Sequence, residues 1–216
     1  MAVQIQGNSG VIAEVENNTR AIRMTPRPVD VGTLGSYGIS AATGIMAATL
    51  AAGSPIFSFR WGDATRFALI RVVKIDLVSL GTGFTAGNGL MEMVFARAFT
   101  GSDTGGTLID LTGNNVKRRT TFGSSLVTSM RISSTATLSA GTRTLDANAL
   151  ATLRFGVSAT ANVTQLALTP IWSPDFTGEW PLVLSKDEGF IIRATVPATG
   201  TWTGDVNVEW TEIGSF

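Results

Sequence analysis

The 216-residue chain has no cysteine and no histidine. Without cysteine there is no disulfide and no thiolate nucleophile. Without histidine there is no Ser-His-Asp or Cys-His catalysis and no His/Cys zinc site. Charge is also scarce: Asp, Glu, Lys and Arg make up 15% of the residues, against about 25% in an average domain. The 16 acids and 16 bases cancel. With a pI near 6.3, that balance argues against a general nucleic-acid or membrane-surface binder. Only a carboxylate site for Mg²⁺ or Ca²⁺ is left open; no cofactor and no catalytic residue is expected. No basic start with an apolar run behind it opens the sequence, so no signal peptide is expected. The longest low-charge stretch, Val31 to Phe59, is broken by Gly44, Gly53 and Pro55 and makes a poor membrane span. The absence of cysteine fits a reducing cytosol.

What remains is apolar and rich in glycine. Hydrophobic residues reach 44%, with 24 Gly and a mean hydropathy of +0.26, enough for a substantial core. Residues 1–35 differ from the rest. Glu14, Glu16, Arg20, Arg23 and Arg27 are interleaved with Ile and Val, and Pro26, Pro28, Gly32 and Gly35 then break regular structure. They read as an extended arm, ordered by a neighbouring subunit or left as a tail. Residues 36–216 read as one all-β domain.

The strand signals have period two. In Phe67–Leu80, Phe67, Leu69, Val73, Ile75 and Leu77 fall on one face, with Arg71 as the exception. So long a strand predicts a bulge or cover on both faces. Met91, Met93, Phe95 and Phe99 alternate in the next run. Phe190, Ile192, Ala194 and Val196 do so near the end, as do Val206, Val208 and Trp210. Gly-rich turns separate the runs, which predicts an antiparallel β-sandwich, with jelly-roll order first and another up-and-down order second. Ala41–Ala52 and Asp146–Leu153 carry a helical alternative.

Few side chains suggest chemistry. Gly81, Gly83 and Gly87 follow a strand, but the third glycine comes one place late and no helix follows. Asp187-Glu188 are adjacent carboxylates on what reads as a hairpin turn. Arg60 and Arg97 sit in apolar strands, where they can stack on Trp61, pair with a buried acid or reach solvent. Lys117-Arg118-Arg119 is the one basic run. It reads as a solvated loop or as a contact, and as a contact it suits an acidic protein surface better than DNA, since no aromatic is interleaved. The segment after Asp175 holds seven acids (Asp175, Glu179, Asp187, Glu188, Asp205, Glu209, Glu212), so copies of the chain can pair these regions. Trp172, Trp180 and Trp202 lie near Pro and Gly and read as loop aromatics that anchor a subunit interface, or as a sugar-stacking set. The interface candidates are therefore Arg20, Arg23, Arg27, Lys117, Arg118, Arg119, Trp172, Trp180 and Trp202.

Five segments together resemble proteins encoded in the structural gene regions of tailed bacteriophages. They are Ala47–Trp61 (AATLAAGSPIFSFRW), Phe99–Arg119 (FTGSDTGGTLIDLTGNNVKRR), Ser133–Asp146 (SSTATLSAGTRTLD), Pro181–Val196 (PLVLSKDEGFIIRATV) and Val206–Trp210 (VNVEW). The resemblance implies a virion structural protein of capsid decoration, cement or minor capsid type, made in the host cytoplasm and placed on the capsid. It also implies a homotrimer whose partners are its own copies and the major capsid protein or another virion protein. It marks no site residues. A tail, neck or baseplate component and a receptor- or glycan-binding module are the alternatives; membrane and nucleic-acid partners are not expected.

Overall fold

The computed structural model describes residues 34–47, 50, 53–80, 83–157, 165–174 and 181–214, together with two short strands nearer the start. The chain divides into two compact units, Met1–Val31 and Gly32–Phe216. In the first, β1 (Ile5–Gln6) pairs antiparallel with β2 (Ile12–Ala13).

The second unit holds β3 (Gly35–Ala42), β4 (Met46–Ala47), β5 (Ser54–Trp61), β6 (Phe67–Leu80), β7 (Gly87–Arg97), β8 (Thr107–Leu108), β9 (Val127–Ile132) and β10 (Thr144–Leu145). These are followed by β11 (Ala151–Val157), β12 (Gln165–Trp172), β13 (Leu182–Leu184), β14 (Glu188–Thr195), β15 (Thr201–Thr203) and β16 (Asp205–Ile213). One sheet runs β7–β14–β5–β9–β8, with β10 and β11 along the outer side of β7. The other runs β3–β16–β6, with β12 and β13 on the far side of β6. β15 continues the register of β16 along β6, and β4 pairs with β15. Among the described residues all pairings are antiparallel, and the two sheets pack face to face as a β-sandwich.

The pairings are nested. β5 pairs with β14, β6 with β12 and β13, β7 with β10 and β11, and β8 with β9. Each later strand returns to an earlier one, so the long-range contacts come from a folded-back ribbon.

The core follows from alternation. Phe190, Ile192 and Ala194 on β14 and Val206, Val208 and Trp210 on β16 point inward and are buried. The sheets meet where Trp210 lies edge-on to Phe59 at 5.6 Å and stacks on Tyr37 at 5.5 Å. Phe59 in turn stacks on Phe190 at 5.2 Å. Burying each such ring stabilises the fold by about 1.5–3 kcal/mol.

Three expectations need correction. On β6 the inward residues are Ala68 and Ile70, then Val73, Ile75 and Leu77; Phe67 and Leu69 are only half-buried. The pairing with β16 shifts there, since Trp210 faces Ile70 while Glu209 faces Val72. Arg71 is the extra residue of a bulge, which switches the face that alternation presents. Neither helical window is helical where described. Ala41–Ala42 end β3 and Met46–Ala47 form β4; Asp146 precedes a bend and Ala151–Leu153 begin β11. The turn at Asp187 exists, but it is not a hairpin: β13 and β14 belong to opposite sheets.

A candidate interaction surface

The segments on either side of β9, from Ala98 to Leu126 and from Ser133 to Arg143, build most of the surface of interest. Part of this chain lies over the outer face of the first sheet. Leu138 N donates to Pro55 O at 2.9 Å and Ser133 N to Ile56 O at 2.8 Å. Phe99 packs directly over Gly189, where a Cβ would lie 2.9 Å from the Phe99 ring and collide with the Phe59 carbonyl oxygen. Val94, Ala96, Phe99, Leu138 and Ile191 are consequently buried on this second face. That explains why β7 and β14 carry apolar residues on both faces.

Polar groups hold the cover in place. Arg60 donates from Nε to Phe99 O at 2.5 Å and from Nη1 to Ser102 Oγ at 3.0 Å. Trp61, next in sequence, points the other way into the core, so the two do not stack. Asp103 is 1% exposed. Its Oδ1 accepts from Gly141 N at 2.8 Å and from the buried guanidinium of Arg143. Asp103 Oδ2 and Arg143 Nε have no hydrogen-bond partner. At the same corner Ala98 and Asp187 both adopt positive φ, 47° and 59°, and Phe99 N donates to Asp187 O at 2.7 Å. Arg97 reaches solvent and chelates Asp146 through bonds of 2.8 and 3.1 Å.

A second part lies along the edge of β3. Gly38 N donates to Val116 O at 2.9 Å and Arg118 N to Ser36 O at 3.1 Å. Arg118 then pairs with Glu209 at 2.7 Å. The basic run and the acidic last strand thus meet within one chain at this pair. Arg119 lies 5.6 Å from the ring centre of Phe122, and Lys117 is bridged to Tyr37 through the backbone.

Between these parts lies an open groove of about 490 Å³. One wall runs from Leu108 to Thr112; the other comprises Ser124, Ser125 and Val127–Ser129. The two walls start together, with Ile109 N donating to Met130 O at 2.9 Å, and then diverge. Asp110 is the one charged residue in the lining. Its carboxylate accepts from Thr112 N at 2.9 Å, Thr112 Oγ1 at 2.7 Å and Asn115 Nδ2 at 2.7 Å, which holds it below the usual carboxylate range.

Of the sequence-derived candidates, Arg20, Arg23, Arg27 and Trp180 lie outside the described residues. Trp202 is not a loop residue. It sits on β15, fully buried, and its indole N–H donates to Ala47 O at 3.1 Å. Gly200, at φ 93°, turns the chain into β15, and Gly204 marks a brief break between β15 and β16. Thr43 bridges that break, donating from N to Gly204 O at 2.8 Å and accepting from Gly204 N at 3.0 Å. Trp172 ends β12, half-buried, with its indole N–H buried and unpartnered. Trp61 and Trp210 are core residues, so the described tryptophans form no sugar-stacking row. No cluster of three or more carboxylates that could hold a metal occurs among the described residues. The groove and the Asp103–Arg143 pair escaped the sequence reading. Comparison with protein-family models, curated proteins and solved structures finds no match.

Proposed function

We propose that this chain is a virion structural protein, a capsid decoration, cement or minor capsid subunit that acts by packing against its own copies and a shell. The observation that carries this reading is the nested pairing of four strand pairs. A chain that folds back as a ribbon, first strand on last, is the plan of a jelly roll, an architecture used by viral capsid domains among others. The order β5–β14–β7–β11, with β6 against β12, supports that reading. The β8–β9 hairpin departs from the plan by joining β5 in the first sheet instead of extending the second. β3, β4, β15 and β16 are additions beyond the eight-strand plan.

The phage texture of the sequence points the same way. So do the low content of charged residues and the N-terminal unit. Attachment of this kind rests on contact area repeated over many symmetric copies, and needs no reacting group.

The test is to purify phage particles whose genome encodes the chain and count its copies by quantitative mass spectrometry. A decoration role gives hundreds of copies on the head. A dozen or fewer, at the neck or tail, places it in the tail instead.

A further inference from the structure

We infer that the groove beside β9 receives an extended strand from the N-terminal unit of a second copy of this chain, an inference that rests on the subunit-packing role proposed above. Four observations carry it.

The groove opens on a sheet edge. β8 covers only Arg131 and Ile132 of β9, and Ile109 adds one bond to Met130. Toward the start of β9, β8 leaves the edge uncovered; Thr128, the extra residue of a bulge where β9 shifts register against β5, is exposed there and lines the groove. An extended segment can continue the sheet there by adding main-chain hydrogen bonds.

The lining selects an uncharged occupant. Leu108 is 57% exposed, and Ile109, Leu111 and Val127 add apolar surface. Ser124, Ser125, Thr128 and Ser129 add hydroxyls. Asp110 is already satisfied within its own loop.

Residues 1–13 (MAVQIQGNSGVIA) match that chemistry. They carry no charged side chain, whereas Glu14 to Arg27 carry several. Val3 and Ile5 alternate with Gln4 and Gln6, the pattern of a half-buried strand. Strand pairing already occurs there, between Ile5–Gln6 and Ile12–Ala13.

The chain enters the sandwich beside the groove. Leu34 N donates to Glu212 O at 2.8 Å, while the Glu212 carboxylate accepts from Ser125 Oγ and Leu126 N, at 2.8 and 2.9 Å. Ser125 lines the groove. The 33 residues before Leu34 span at most about 110 Å when extended, ample reach to a neighbour. Exit and groove lie close together, so copies arranged about a symmetry axis can exchange strands in a closed ring.

The test uses the whole 216-residue chain, whose lack of cysteine makes introduced thiols specific. Gln6→Cys and Thr128→Cys chains are mixed and oxidised, and the linked peptides are identified by mass. The expected result is a Gln6–Thr128 link between chains, about tenfold more abundant than a link from Gln6→Cys to Asn88→Cys, an exposed control on β7. Adding Leu108→Asp to the Thr128→Cys chain should reduce the link about tenfold, with the urea midpoint unchanged because Leu108 is exposed. Absence of the link, a link only within one chain carrying both cysteines, or a link indifferent to Leu108→Asp overturns the inference. Loss of the link in a chain still found in particles overturns the groove assignment alone. A link in a chain absent from particles supports the groove and contradicts the virion reading.

Discussion

Ser125 donates its hydroxyl to Glu212 Oε1 at 2.8 Å, joining residues 87 positions apart. The same oxygen accepts from Leu126 N at 2.9 Å and from the Trp210 indole at 3.3 Å. The residue is 1% exposed, and Oε2 has no partner. One carboxylate thus fixes the entry to β9, the wall of the groove and the last strand of the opposite sheet.

Burial pushes the Glu212 carboxyl above its ordinary value, with Asp63 adding to the rise and the three donated hydrogen bonds opposing it. The neighbouring Tyr37 phenol is pushed up to about 12, by burial first and by Glu212 second. Between the unfolded and folded values of Glu212, the folded state holds the proton more tightly. Stability from this group is therefore present below the unfolded pKa and falls as pH rises through the folded pKa. Glu212→Gln keeps an acceptor for Ser125 and Leu126 and removes the titration. The unfolding free energy of the wild type minus that of the variant should fall as pH rises from about 4 to about 7, measured by urea titration. A difference that is flat, or that rises, contradicts the assignment.

Trp210→Ala removes a ring packed against Tyr37 and Phe59 at the centre of the sandwich. The loss should be about 3–5 kcal/mol. A urea-denaturation loss below about 1 kcal/mol would show that the ring does not lie between the sheets.

Arg143→Met leaves Asp103 as a buried charge without its cation and should destabilise by about 3–5 kcal/mol. Asp103→Leu combined with Arg143→Met removes both charges and should recover most of that loss. A double variant as unstable as the single one would show that the pair does more than neutralise itself.

Gly189→Ala drives a methyl group against the Phe59 carbonyl oxygen and the Phe99 ring. Backbone cannot yield as a flexible side chain does, so a loss of about 1–3 kcal/mol is expected. Gly123→Ala, where nothing lies within 4 Å of the added carbon, should change stability by less than about 0.5 kcal/mol. Equal effects in thermal unfolding would contradict the close cover of the first sheet.

The strands were legible where one face is buried and the other is not. β16 alternates Val206, Val208 and Trp210 with polar residues, and the structure keeps that register. Arg71 was the visible trace of the β6 bulge, but an arginine on an apolar face does not say which way the register shifts. Trp202 was misplaced because its flanking glycines imitate a loop; the strand break that Gly204 marks is closed by Thr43, 160 residues away. The opposite charges of Arg118 and Glu209 were legible, and their meeting within one chain was not. The groove depends on two segments of one long connection that diverge from a shared edge, and local pattern carries no signal for that.

Packing into a phage particle is the role proposed for this chain. The most direct measurement is a reconstruction of intact particles from a phage that encodes it, with copy number read from the same map. The expected result is the β-sandwich on the head surface in symmetric clusters, hundreds of copies per particle. Purified, infective particles that lack the chain while the lysate contains it would contradict that claim.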